Sequence, residues 1–193
     1  MQGQTQFLLS PGGHITGELM VPGDKSISHR AIIFASLAEG TSHISGFLSG
    51  EDCLATVSAF KNMGVTIEGP DHGNVIVHGV GLSGLSAPKT VIDCGNSGTT
   101  IRLLAGLLSA QSFDAILTGD ASLQKRPMER VTVPLSNMGA HIETTEGKPP
   151  LNSYAVDQLQ AIDYVLPIAS AQVKSCLLLA ALYANGKTSI TEP

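Results

Sequence analysis

The sequence predicts an α/β fold, α+β in some schemes: an inside-out barrel of repeated βαβαββ units, with buried helices within and sheets outside. Three observations predict it. Arg30, Arg102 and Lys174 are equally spaced along the chain, and each lies a few residues into an apolar, helix-like run that follows a Ser-containing turn. Between them, Lys61-Asn62-Met63-Gly64-Val65-Thr66-Ile67-Glu68 echoes as Ser136-Asn137-Met138-Gly139-Ala140-His141-Ile142-Glu143. Two landmarks recurring in the same order mark a duplicated unit of about 70 residues. Third, the runs over 99–110 and 171–184 are apolar nearly all round after their first turn, and a helix without a polar face is a buried helix. Packed about a pseudo-threefold, three such helices lie side by side with their polar N-terminal ends converging on one face.

The elements follow in order. Residues 6–9 and 14–21 read as short strands around the Ser10-Pro11-Gly12-Gly13 turn. Pro22-Gly23 then turns the chain into a helix that Ser26 or Ser28 can cap and that Ala38-Glu39-Gly40 stops. A strand over 41–47, a helix over 51–63 and a hairpin pairing 65–68 with 74–78 complete the first unit. The second unit opens on a Gly-rich turn at 95–98 and continues as a helix over 99–110, a strand over 115–118 and a helix over 128–138. A third starts near Asp163 and runs through the 171–184 helix to a strand at 188–191. The repeat domain is therefore placed at 23–193, with two full repeats and an incomplete third, and residues 1–22 stand apart from the repeat.

Composition narrows the function. Of the 193 residues 42% are hydrophobic and 14% charged, which suits a packed globule rather than a disordered chain. A net charge of −5, with no basic run longer than Lys125-Arg126 and few aromatics, argues against nucleic acid and for a small anionic substrate met by singly placed cations. Cys53, Cys94 and Cys176 are an odd number at long spacings, so a reducing, cytoplasmic setting without disulfides is expected. The start, Met1-Gln2-Gly3-Gln4-Thr5-Gln6, lacks the features of a signal peptide, and the apolar run over 176–184 is too short for a bilayer. None of the six histidines forms H-x-H or H-E-x-x-H, so no metal is expected.

Three segments carry chemistry. In Pro22-Gly23-Asp24-Lys25-Ser26-Ile27-Ser28-His29-Arg30 a helix start, with free N–H groups and a partial positive charge, coincides with Lys25, Arg30 and two seryl hydroxyls. Phosphate or carboxylate fits there; an ordinary capped helix with two solvated cations reads the same way. In Asp93-Cys94-Gly95-Asn96-Ser97-Gly98-Thr99-Thr100-Ile101-Arg102 two glycines allow close backbone approach and Asn96, Ser97 and Thr99 are neutral donors. Arg126-Pro127 sets a forked donor before a proline at a helix N1 position. Two motifs are set aside: Gly79-Val80-Gly81-Leu82-Ser83-Gly84 is not followed by a helix, and Lys25-Ser26 lacks the Walker A glycine spacing.

Together these segments resemble the enolpyruvyl transferases, in the branch that acts on shikimate 3-phosphate. The family pattern P-G-D-K-S-x-S-x-R, G-N-[SA]-G-T-x-x-R, L-x-G-[DE] with a following [KE]-R-P, and S-[SA]-Q is present in that order over the whole length. The sister branch, acting on UDP-N-acetylglucosamine, has Lys-Asn at Lys25-Ser26 and a reactive Cys in the loop that here reads Ala121-Ser122-Leu123-Gln124. The resemblance implies that Lys25, Ser26, Arg30, Ser170, Ala171 (through its backbone) and Gln172 hold shikimate 3-phosphate. It implies that Lys25, Asn96, Gly98, Arg126 and Gln172 hold phosphoenolpyruvate, and that Gly98 leaves room for the inhibitor glyphosate. No metal, organic cofactor, nucleic acid or membrane is implied, and the parent is expected to be a monomer. Family members are more than twice as long, so this chain is expected to be the N-terminal part. Residues 1–22 would be crossover strands belonging with a second domain that carries the proton-transfer groups. No catalytic residue beyond Lys25 is expected within the chain, which would bind without turning over; a binding module or a subunit of a split enzyme is the alternative.

Overall fold

A computed structural model describes residues 6–193. The first unit comprises α1 (Lys25–Leu37), β1 (Glu39–Ile44), α2 (Glu51–Asn62), β2 (Thr66–Asp71) and β3 (Asn74–Val80). The second comprises β4 (Ile92–Asp93), α3 (Gly98–Leu108), β5 (Ala115–Thr118), α4 (Glu129–Asn137), β6 (His141–Thr145) and β7 (Lys148–Tyr154). After them come β8 (Leu159–Gln160), β9 (Asp163–Val165), α5 (Ala171–Ala181), β10 (Ala184–Asn185) and β11 (Ser189–Thr191). Strands order β1-β3-β2 in a three-stranded sheet and β4-β5-β7-β6 in a four-stranded one, with the hairpins antiparallel, and β8–β10 and β9–β11 form two-stranded sheets. The parallel pairs β4–β5 and β9–β11 flank α3 and α5 in the same way, strand to helix to strand.

The duplicated landmark is a helix stop built twice. Met63 and Met138 are fully buried C-caps, Gly64 and Gly139 both take φ of 93°, and Val65 N–H to Phe60 O and Ala140 N–H to Leu135 O are both 3.0 Å. Glycine is required at that left-handed turn. The next strand can then start one layer out with its apolar residues facing the helices.

Four expectations change. No strand forms over 6–9 or 14–21: these described residues are coil, with Phe7, Leu9, Ile15 and Met20 at least 88% exposed. Their apolar alternation fits a strand, but no described strand runs beside them to pair their backbone. Residues 1–5 of the expected 1–22 segment lie outside the described residues. Asp24, not Ser26 or Ser28, caps α1, its Oδ1 accepting from Ile27 N–H at 2.7 Å, while Ser28 Oγ donates to Asp24 O and accepts from Leu48 N–H. Pro127 precedes α4 instead of opening it, because Met128 is the cap and its N–H is held by Gly147 O at 2.8 Å.

The fourth change concerns register. Asp24, Ser97 and Ser170 each accept from the N–H three residues on, so they are equivalent N-caps. Counted from these caps, Arg30, Arg102 and Lys174 are the sixth, fifth and fourth helical residues. One residue is worth 100° of helix rotation. The three cations therefore point in three directions, and the loops absorb the offset that equal spacing concealed.

Nor do the three helices pack alike. α3, with nine of its eleven residues buried, lies directly against α5 and contacts α2 and α4. α1 packs on α2 and β3, and it faces α3 and α5 across an apolar cleft of about 280 Å³.

Candidate anion site

The site is built where α1, α3 and α5 begin. Lys25, the first residue of α1, pairs its Nζ with the Asp52 carboxylate at the start of α2. The Asp52 backbone oxygen in turn accepts from Thr100 Oγ1 (3.2 Å) in the first turn of α3. On the other side of that turn, Gln172 Nε2 donates to Thr99 Oγ1 (3.0 Å), and its Oε1 accepts from Arg102 Nη1 (2.8 Å). Lys25 and Gln172 thus border the same helix start. Arg102 Nη1 also reaches Gly98 O at 3.2 Å. Arg126 Nη2 donates to Asn96 Oδ1, whose Nδ2 donates to Asp120 Oδ2 (2.7 Å).

Gly98 is the hinge of this arrangement. A Cβ there would lie 2.8 Å from Arg102 Nη1 and 3.0 Å from Arg126 Nη1. Both guanidiniums therefore close over a bare backbone at a helix N-terminus. Among the described residues none of Arg30, Arg102, Arg126 and Arg130 forms an ion pair with a carboxylate. Burial, and then repulsion by Arg126 and Arg130, pull the Arg102 guanidinium below its ordinary pKa. Asp120 is held below the usual carboxylate range by the Asn96 amide first and the Leu123 N–H next. Two guanidiniums without an ion-paired carboxylate, Arg102 and Arg126, beside a helix start make a site for an anion.

The remaining expected residues sit at its margins. Ser26 and Arg30 are exposed and share one face of α1, four residues apart. Arg30 lines the apolar cleft with Leu103 and Ser175. Ser170 caps α5 (Val173 N–H to Oγ, 3.4 Å), and Ala171, its first residue, is exposed. Ser170 also lines a separate small cavity with Arg130 and Tyr164. Lys174 is drawn away from the cluster by Glu192.

Two contributors, Arg102 and Asp52, escaped the sequence reading. Arg102 was a landmark of the repeat, but its spacing of four from Gly98 already placed it over that glycine. Asp52 acts through pairing across segments, which no local pattern displays, and Thr99, read as a donor, accepts from Gln172 Nε2. Cys94 and Cys176 carry thiols pushed up to about 12 by burial, and Cys53 is raised for the same reason, so none is poised as a nucleophile. No helix among the described residues is long and apolar enough to cross a membrane.

Comparison with known proteins places this geometry. The family model described as EPSP synthase (3-phosphoshikimate 1-carboxyvinyltransferase) matches residues 9–193. A 3-phosphoshikimate 1-carboxyvinyltransferase from Legionella pneumophila is 62% identical over 186 residues, 96% of this chain and 43% of its own length. One from Hydrogenovibrio crunogenus is 59% identical over 194 residues, all of this chain and 44% of its own length. The EPSP synthase structure from Acinetobacter baumannii aligns with a TM-score of 0.90 at 60% identity, over 92% of this chain and 40% of that one. The chain spans less than half the length of these relatives. It belongs to the EPSP synthase (3-phosphoshikimate 1-carboxyvinyltransferase) family.

Proposed function

We propose that the cluster at the starts of α1, α3 and α5 is the anion grip of an enolpyruvyl transfer site. Shikimate 3-phosphate is held by Lys25, Ser26, Arg30, Ser170, the Ala171 backbone and Gln172. Phosphoenolpyruvate, or glyphosate in its place, is held by Lys25, Asn96, Gly98, Arg126 and Gln172, with Arg102 added on the geometry above. In the reaction the 5-hydroxyl loses its proton as its oxygen bonds to C2 of phosphoenolpyruvate and C3 takes a proton; the C2–O bond to phosphate then breaks as C3 loses a proton, which restores the double bond and releases phosphate. The observation that carries the reading is the pair of unneutralised guanidiniums, Arg102 and Arg126, closing on Gly98 at a capped helix start. The activity for which the relatives are named agrees with it.

In this reading residues 23–193 are the substrate-binding domain of a cytoplasmic, monomeric enzyme, and 1–22 belong with a second domain. The chain itself supplies the grip without the acid and base, each of which typically contributes about 10²–10⁴-fold. Calorimetric titration of shikimate 3-phosphate into the 193-residue chain tests this. Lys25→Ala weakens binding by about 1.5–3 kcal/mol, as for a charge-assisted contact, whereas Lys61→Ala, at the exposed end of α2, changes it by well under ~1 kcal/mol. Equal effects, or no heat of binding, reject the assignment. Phosphate release from both substrates by the chain alone, abolished by Lys25→Ala, would show that the proton carriers lie within it.

A further inference from the structure

Beneath the anion site runs a row of buried polar groups that the grip does not use. His29 Nδ1 lies 2.7 Å from Thr56 Oγ1, Thr56 Oγ1 lies 2.8 Å from Thr100 Oγ1, and Thr100 Oγ1 reaches Ser97 Oγ at 2.8 Å and Asp52 O at 3.2 Å. His29, Thr56, Thr100 and Ser97 are each at most 1% exposed. One residue comes from α1, one from α2 and one from α3, and the last is the cap of α3. A row of this kind is costly to bury and ties the elements it joins to one register; every link in it is made, and His29 Nε2, at its outer end, is the one ring atom without a partner among the described residues.

We infer that His29, Thr56 and Thr100 form a positioning chain that fixes the Lys25-bearing helix against the anion-facing first turn of α3. The inference rests on the proposed reading of the site. Because Asp52 O can only accept, the 3.2 Å bond takes the single proton of Thr100 Oγ1. A lone pair of Thr100 Oγ1 then takes the Thr56 proton, and Thr56 takes that of His29 Nδ1–H. The far end of the chain therefore meets both the cap that aims the N–H groups of α3 and the residue whose carboxylate holds Lys25. Cutting the chain leaves the donors of the grip in place but releases α1 and α2 to shift against α3.

The test uses Thr56→Val, which keeps shape and removes the hydroxyl, beside Thr56→Ser, which keeps the hydroxyl. With shikimate 3-phosphate as the probe, Thr56→Val lowers affinity about tenfold and Thr56→Ser stays within about twofold, while both unfold cooperatively. Should Thr56→Val not fold, His29→Asn, whose amide N–H can replace Nδ1–H, keeps affinity that His29→Leu loses. Nitrogen-15 spectra of the imidazole show Nδ1 protonated at neutral pH. Equal affinity of Thr56→Val and Thr56→Ser, or a ring protonated only on Nε2, overturns the chain. If the unaltered chain does not bind shikimate 3-phosphate, the functional reading fails separately. The positioning claim is then judged by amide exchange at 97–100, where faster exchange in Thr56→Val than in Thr56→Ser supports it and equal exchange overturns it.

Discussion

Two helix seams, both running along α5, differ sharply. Counted from the equivalent caps, Ile33, Gly106 and Leu179 are each the ninth residue of their helix. At Gly106 the α5 backbone comes so close that a Cβ would lie 2.1 Å from Cys176 O. Ile33 and Leu179 instead line the cleft of about 280 Å³ that separates α1 from α5. Nearly the same frame thus yields a closed seam on one side and an open one on the other, and the side chain at one position decides which. The closed seam carries Gln172 onto Thr99 and Arg102; the open one leaves Arg30 standing off from that cluster.

Gly106→Ala is expected to be the most damaging change, since the methyl meets backbone that cannot swing aside. Chemical denaturation should show a loss of at least about 3 kcal/mol, and a loss under ~1 kcal/mol would mean that the two seams do not differ as described.

Acid comes next. Burial holds the His29 imidazole down to about 4, with Lys25 and Arg30 acting in the same sense and Asp52 opposing. The folded state therefore prefers neutral His29 more than the unfolded chain does. Stability from this group is present above about pH 6.5 and falls by roughly 3 kcal/mol on the way to pH 4. Unfolding of His29→Asn across that window should lack this component, and an unchanged pH profile would place the acid sensitivity elsewhere.

Ile33→Val, which trims a group already facing the cleft, should cost only about 1 kcal/mol. A cost as large as that of Gly106→Ala would show that the open seam is packed more tightly than its geometry indicates. Gly98→Ala should change stability least, within about 0.5–1 kcal/mol, because the methyl meets the mobile ends of Arg102 and Arg126. On the proposed reading its effect belongs to binding: phosphoenolpyruvate and glyphosate affinity should fall while the melting curve stays put. Full-length enzyme inhibited equally by glyphosate before and after the substitution would remove Gly98 from the site.

Much of this was legible in the sequence where the signal is local. The 51–63 helix, the 115–118 strand and the paired Asn-Met-Gly stops were readable because periodicity and a left-handed glycine act within one element. The placement of Lys25, Gly98 and Arg126 at a turn or helix start was readable for the same reason. What escaped depends on partners far away in the chain. Residues 6–9 and 14–21 have strand-like alternation, yet a strand exists only beside a neighbour. The cap of α1 went to Asp24 because a carboxylate one residue before Lys25 reaches the Ile27 N–H. The offset among Arg30, Arg102 and Lys174 came from loops whose lengths compensate, and this hid a rotation that only the caps reveal.

The three cysteines are distributed one to each unit, and each is shut away at a different place: Cys53 under the Lys25 carbonyl, Cys94 before the Gly98 turn and Cys176 against Gly106. With every thiol buried and protonated, a thiol reagent reacts only through transient opening. The rates at which the three are modified in the native protein therefore rank the opening free energies of the three units. The chain carries its own set of local stability reporters, one per repeat, with no label to be introduced.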